Sequence, residues 1–284
     1  MEVNKYKKIS FWLQIIFFVC LEYSYITFVN KYYDYAGFQM DFDIIKYIVA
    51  KLIFIVIILM LQSNKISDFM YSVINLFVAL IFSPNIILYQ FMDFNPLIII
   101  LLTTFFILII LISRLKFKRI FSFPQIKQKQ QIILLLFVTL ILLLPVIIAY
   151  KLNLHFQVLL FQDIYKIREE NTLTGNAFSN YTYSWLAKII LPLLLIYGLE
   201  RKKPFISAIS VFILLYLFLT IAHKSMFFSI IVVFIYYLVK GYYKQTAFIL
   251  LAFVGAFFVS RFFIVFSDNI IPESLFVRRL FYVS

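Results

Sequence analysis

The stretch that decides the fold is residues 184–225: Ser184-Trp185-Leu186-Ala187-Lys188-Ile189-Ile190-Leu191-Pro192-Leu193-Leu194-Leu195-Ile196-Tyr197-Gly198-Leu199, then Glu200-Arg201-Lys202-Lys203-Pro204, then Phe205 through Ile221-Ala222-His223-Lys224-Ser225. Two apolar runs, 184–199 and 205–221, flank a short turn carrying three cations. Runs of this kind cross a hydrocarbon core of roughly 30 Å at about 1.5 Å per residue. A charged turn between them stays in the headgroups. Upstream lies a polar segment, Asp163-Ile164-Tyr165-Lys166-Ile167-Arg168-Glu169-Glu170, followed by the turn-rich Asn171-Thr172-Leu173-Thr174-Gly175-Asn176.

Working outward, the same pattern repeats. Nine apolar spans are expected, at about 9–29, 44–62, 69–90, 96–114, 132–150, 184–199, 205–221, 225–239 and 246–265. The chain is 64% hydrophobic and only 14% charged, where an ordinary soluble domain is about half apolar and a quarter charged. A β-barrel would need short alternating segments, which are not seen. The expectation is an all-α, polytopic helical bundle forming one transmembrane domain over 1–284.

Charge sets the orientation. With the N-terminus in the cytoplasm, fifteen basic residues fall on that side and eight on the other, which also holds nine of the thirteen carboxylates. The positive-inside rule therefore accounts for the net charge of +13 without nucleic acid as a partner. The first apolar run lacks a small-residue cleavage site and reads as an anchor. Cys20 is the single cysteine, so no intrachain disulfide or paired-thiol site is expected. The longest cytoplasmic linker, 114–131, is basic and Gln-rich, as suits headgroup contact with membrane lipid. The longest outer one, 151–183, repeats Phe156, Leu160, Ile164 and Ile167 at helical spacing. That pattern predicts a short helix lying in the interface. A further outer segment covers 266–284.

No phosphate loop, zinc-protease helix or nucleophile elbow is present, and His155 and His223 lack ligand spacing, so neither a metal nor another cofactor is expected. Cations on the outer face remain. Arg168 sits beside Glu169 and Glu170. It reads either as a solvated loop charge worth under about 1 kcal/mol, or as a guanidinium fork offered to a phosphate. His223 and Lys224 end a span. The imidazole either caps the helix or takes a proton from a hydroxyl, and the ammonium either snorkels or offsets phosphate charge. Arg278 and Arg279 are adjacent cations on the side where cations are scarce. Arg261 and Lys188 fall within spans, where a charge costs roughly 2.5–3.5 kcal/mol even on a lenient insertion scale. Glu22 and Lys51 are similar.

The order of these features resembles the bacterial oligosaccharide repeat-unit polymerases of O-antigen and capsule assembly, the Wzy type. The matching residues are Tyr165-Lys166-Ile167-Arg168-Glu169, Trp185, Pro192, Ala222-His223-Lys224-Ser225 and Val277-Arg278-Arg279-Leu280-Phe281. They cover roughly residues 160–284; the first five spans contribute only hydropathy. Ala222 stands where many relatives carry Gly. Members are usually longer, so the resemblance implies a chain that continues past Ser284 or a truncated member. It also implies a glycosyltransferase of the bacterial cytoplasmic membrane that joins polyprenyl-diphosphate-linked oligosaccharides at the outer leaflet. Chain-length regulator and flippase proteins would be its partners. Within that reading His223 and Arg168 are catalytic, while Lys224, Arg278, Arg279, Glu169 and Arg261 bind substrate. A flippase of lipid-linked glycan and a non-catalytic scaffold are the alternatives.

Overall fold

The structure, a computed structural model, describes residues 2–63, 65–115, 127–151, 153–160, 167, 177–222 and 224–267. All regular structure among them is helical. In chain order the α-helices of nine residues or more are α1 (Glu2–Ser24), α2 (Ile44–Leu61), α3 (Asp68–Phe77), α4 (Ser83–Phe91), α5 (Pro96–Ser113), α6 (Gln128–Tyr150), α7 (Ala177–Trp185), α8 (Leu191–Glu200), α9 (Pro204–Ile221), α10 (Lys224–Leu238) and α11 (Tyr242–Ser267). Because α3 runs on into α4 and α7 into α8, eight continuous helices among the described residues are long and apolar enough to cross a membrane. The chain is an all-α, multi-pass helical bundle. The expected span at 225–239 is helical as α10, whose 15 residues rise about 22 Å, less than the other eight.

Helix starts follow from local chemistry. Asp43 accepts the amides of Ile45 and Lys46 at 2.6 and 3.1 Å, which opens α2. Ser67 accepts that of Met70 at 3.4 Å before α3. Asn95 accepts that of Leu97 at 3.0 Å, and Pro96 takes the first position of α5, where its missing N–H costs nothing.

Among the described residues, three spans contain a five-residue π-helical turn: Tyr25–Val29 after α1, Val78–Phe82 between α3 and α4, and Leu186–Ile190 between α7 and α8. Two of the three have the same cause. Pro84 and Pro192 stand two residues past the end of each turn, and a proline clashes with the carbonyl four residues back. Widening the turn moves that carbonyl aside, with Ser83 and Leu191 donating to Val78 and Leu186 five residues earlier. In the first, Thr27 bonds back to the Tyr23 carbonyl at 2.7 Å and loosens the ladder there.

The chain packs as two compact units, Met1–Lys118 with Gly241–Ser284, and Arg119–Lys240. In the first, aromatic side chains join the helices. Phe17 of α1 meets Phe253 of α11 at 5.7 Å between ring centroids, and Phe18 stacks on Phe54 of α2 at 3.8 Å. Ser72 of α3 and Thr246 of α11 share a hydrogen bond of 2.6 Å. In the second, Leu186, Leu191, Leu195, Leu214 and Leu217 form the core of α7, α8 and α9. Polarity is inverted relative to a water-soluble protein. Gln14, Ser83 and Gln90 are buried, whereas Ile100, Leu101, Ile148 and Phe212 are exposed, as suits a lipid-facing surface.

Within the expected outer segment, residues 156–160 form a single 3-10 turn. Phe156 is exposed, but Val158 and Ile167 are buried in the core of the second unit. Ile167 therefore packs on protein instead of headgroups. Ile164 and the segment 268–284 lie outside the described residues.

Candidate functional site

Five of the seven expected site residues, Arg168, Glu169, His223, Arg278 and Arg279, lie outside the described residues. Lys224 opens α10, and only its backbone is described. Arg261 is described fully. The site is therefore built from the residues that flank these positions.

Helix α9 stops abruptly at Ala222, which adopts the left-handed conformation with φ 61 and ψ 28 and donates its N–H to the Phe218 carbonyl at 2.9 Å. That conformation costs an L-residue roughly 1–2 kcal/mol and favours glycine. It also ends α9, and α10 begins at Lys224. The segment preceding α7 is pinned to this helix end. The His155 amide donates to the Leu219 carbonyl at 3.1 Å, and the Tyr216 hydroxyl donates to the Lys151 carbonyl at 2.8 Å. The Tyr150 hydroxyl donates to Asn180 Oδ1 at 2.5 Å, tying α6 to α7. Ile167, Ala222 and Met226 then share one buried cluster with Tyr150, Val158 and Tyr183. Ile167 and Ala222, the chain neighbours of Arg168 and His223, thus belong to one buried cluster of the second unit, together with Met226, two residues past Lys224.

Arg261 lies on α11 in the first unit. Its guanidinium donates to Thr27 Oγ1 and sits over the rings of Tyr23 and Phe257 at 4.9 and 5.7 Å. Thr27 is the residue whose back-bond loosens the π-helical turn, so Arg261 and that irregularity form one unit of structure. On α1, Glu22 is ion-paired with Lys51 of α2, and the Lys51 ammonium lies 4.9 Å from the rings of both Phe18 and Tyr47. Pairing with aromatic support is how a charge is tolerated at membrane depth. Lys188 lies in the π-helical turn after α7 and is exposed.

Sequence reading missed the role of two other cations. Lys7 and Arg114 count there only toward the orientation. In the structure the buried Lys7 ammonium donates to the Gln62 and Ser63 carbonyls at 2.7 and 3.1 Å. Arg114 donates to the Met60 carbonyl at 2.5 Å. Both close the C-terminal end of α2, where carbonyls lack helical partners and the dipole favours cations. Only the tertiary fold brings them there, so no local signal announces it.

No family model, curated protein or solved structure matches this chain.

Proposed function

We propose that the protein is a polysaccharide polymerase that joins polyprenyl-diphosphate-linked oligosaccharide repeat units at the outer face of the bacterial cytoplasmic membrane. Its N-terminus is cytoplasmic in this reading, which the asymmetry of basic residues supports. The acceptor hydroxyl attacks the anomeric carbon of the donor, the new glycosidic bond forms, and the bond to the diphosphate breaks. His223 takes the hydroxyl proton. Arg168, Lys224, Arg278 and Arg279 stabilise the charge that gathers on the departing polyprenyl diphosphate, with Glu169 holding the guanidinium of Arg168. In this scheme fixed cations carry the charge of the leaving group.

The observation that carries this reading is the shared burial of Ile167, Ala222 and Met226. Arg168 follows the first directly, and His223 and Lys224 follow the second. The left-handed Ala222 adds support, since it ends α9 immediately before the imidazole. Arg261 engages Thr27 and the rings of Tyr23 and Phe257, so we assign it a part in holding α11 on α1.

A lipid-linked glycan flippase is a second reading, favoured by the π-helical turns within three spans, an irregularity frequent at functional sites. Cells lacking the gene separate the two. A polymerase loss leaves single repeat units outside, whereas a flippase loss leaves none there.

A further inference from the structure

The turn between α8 and α9 opens onto a groove of about 670 Å³, which lies wholly within the second unit. Its polarity changes along its length. Lys202 and Lys203 line one end, and Val211, Phe212, Leu215 and Phe234 line the other. Lys203, Ser207, Val211 and Leu215 recur every fourth residue, so they form one stripe along α9. From Lys203 to Leu215 that stripe rises about 18 Å, a little more than half of a hydrocarbon core of roughly 30 Å.

We infer that this groove is a binding site for an anionic glycerophospholipid of the surrounding bilayer, with the phosphate at Lys202 and Lys203 and one acyl chain along α9. The inference stands apart from the polymerase reading. It needs only the groove, its charge and its length.

Two observations carry it. The first is charge complementarity: the turn holds Arg201, Lys202 and Lys203 against the single carboxylate Glu200, and the rest of the groove they line is largely apolar. The second is Lys202 itself, which is held at φ 52, where glycine would be unstrained. The Lys203 amide closes the turn on the Gly198 carbonyl at 2.8 Å. A lysine kept where the backbone favours glycine points to a use for its ammonium.

The test uses the full chain purified in detergent, with thermal stability and native mass spectrometry read as lipid is added. Phosphatidylglycerol, phosphatidylcholine and a polyprenyl phosphate are compared. Phosphatidylglycerol is expected to raise the unfolding temperature and to be retained, and phosphatidylcholine to do neither. Lys202→Gly with Lys203→Gln relaxes the turn and removes both charges; it should weaken phosphatidylglycerol binding about 30-fold. Ala208→Phe leaves the charges in place and fills the groove, so it too should abolish retention. Equal stabilisation by phosphatidylcholine overturns the proposal. So does full retention in either variant, or selective retention of the polyprenyl phosphate over phosphatidylglycerol.

Discussion

Gly198 of α8 and Ser207 of α9 approach so closely that a Cβ on the glycine would stand 2.5 Å from the serine Oγ and 2.9 Å from its backbone nitrogen. The serine side chain can rotate, but the backbone nitrogen cannot yield without moving α9. Small residues permit such approaches between helices in membranes. Gly198→Ala is therefore expected to cost about 1–3 kcal/mol, read as a lower unfolding temperature in detergent. A methyl group added to Gly255 of α11 would meet nothing within 4 Å, so Gly255→Ala should be neutral or mildly stabilising. Equal effects at the two positions would contradict the packing described.

Glu22 and Lys51 depend on each other. Removing one partner leaves a charge at membrane depth, an effect of about 3–5 kcal/mol for buried pairs; here both side chains retain some exposure, 12% and 26%, which reduces it. Glu22→Gln and Lys51→Met should each lower stability, and the double variant should be less damaged than the two losses added. Strict additivity in that cycle would show that the pair contributes nothing as a pair.

Lys7, Lys5 and Lys8 carry the same charge close to the same end of α1, but only Lys7 is buried. Lys7→Met removes the donor to the Gln62 and Ser63 carbonyls and should cost about 1–3 kcal/mol. Lys5→Met and Lys8→Met should have little effect on stability. A uniform response of all three would mean that Lys7 serves orientation alone.

The orientation has its own check. Cys20 is buried, so background labelling is low. With the N-terminus in the cytoplasm, an impermeant thiol reagent on intact cells should label Asn176→Cys and spare Gln128→Cys. The reverse pattern would invert the topology.

The spans were legible because hydropathy is a local property. Expected boundaries 44–62 and 96–114 became Ile44–Leu61 and Pro96–Ser113, since Asp43, Asn95 and Pro96 mark the starts in the sequence itself. Pro192 was legible as a feature within a helix, but the π-helical turn it causes was not, nor was the turn near Thr27 that Arg261 engages from 234 residues away. Arg261 reads from sequence as a charge seeking a substrate, and Lys7 as one facing the cytoplasm. Their partners are backbone carbonyls, a threonine and aromatic rings that only the tertiary fold supplies. For the proposed site, the residue types were legible as chemistry. What the structure adds is the common burial of Ile167, Ala222 and Met226 beside them.

His223 carries the central claim. A general base contributes about 10²–10⁴-fold in rate, and a forked guanidinium at Arg168 is poorly replaced by a point charge. The direct measurement is the length distribution of surface glycan in cells carrying the wild-type gene, His223→Ala, Arg168→Ala or Arg168→Lys, at matched membrane levels of the protein. Long polymer in the wild type is expected to give way to single repeat units in His223→Ala and Arg168→Ala, with only partial recovery in Arg168→Lys. Undiminished long polymer in both alanine variants would contradict the account.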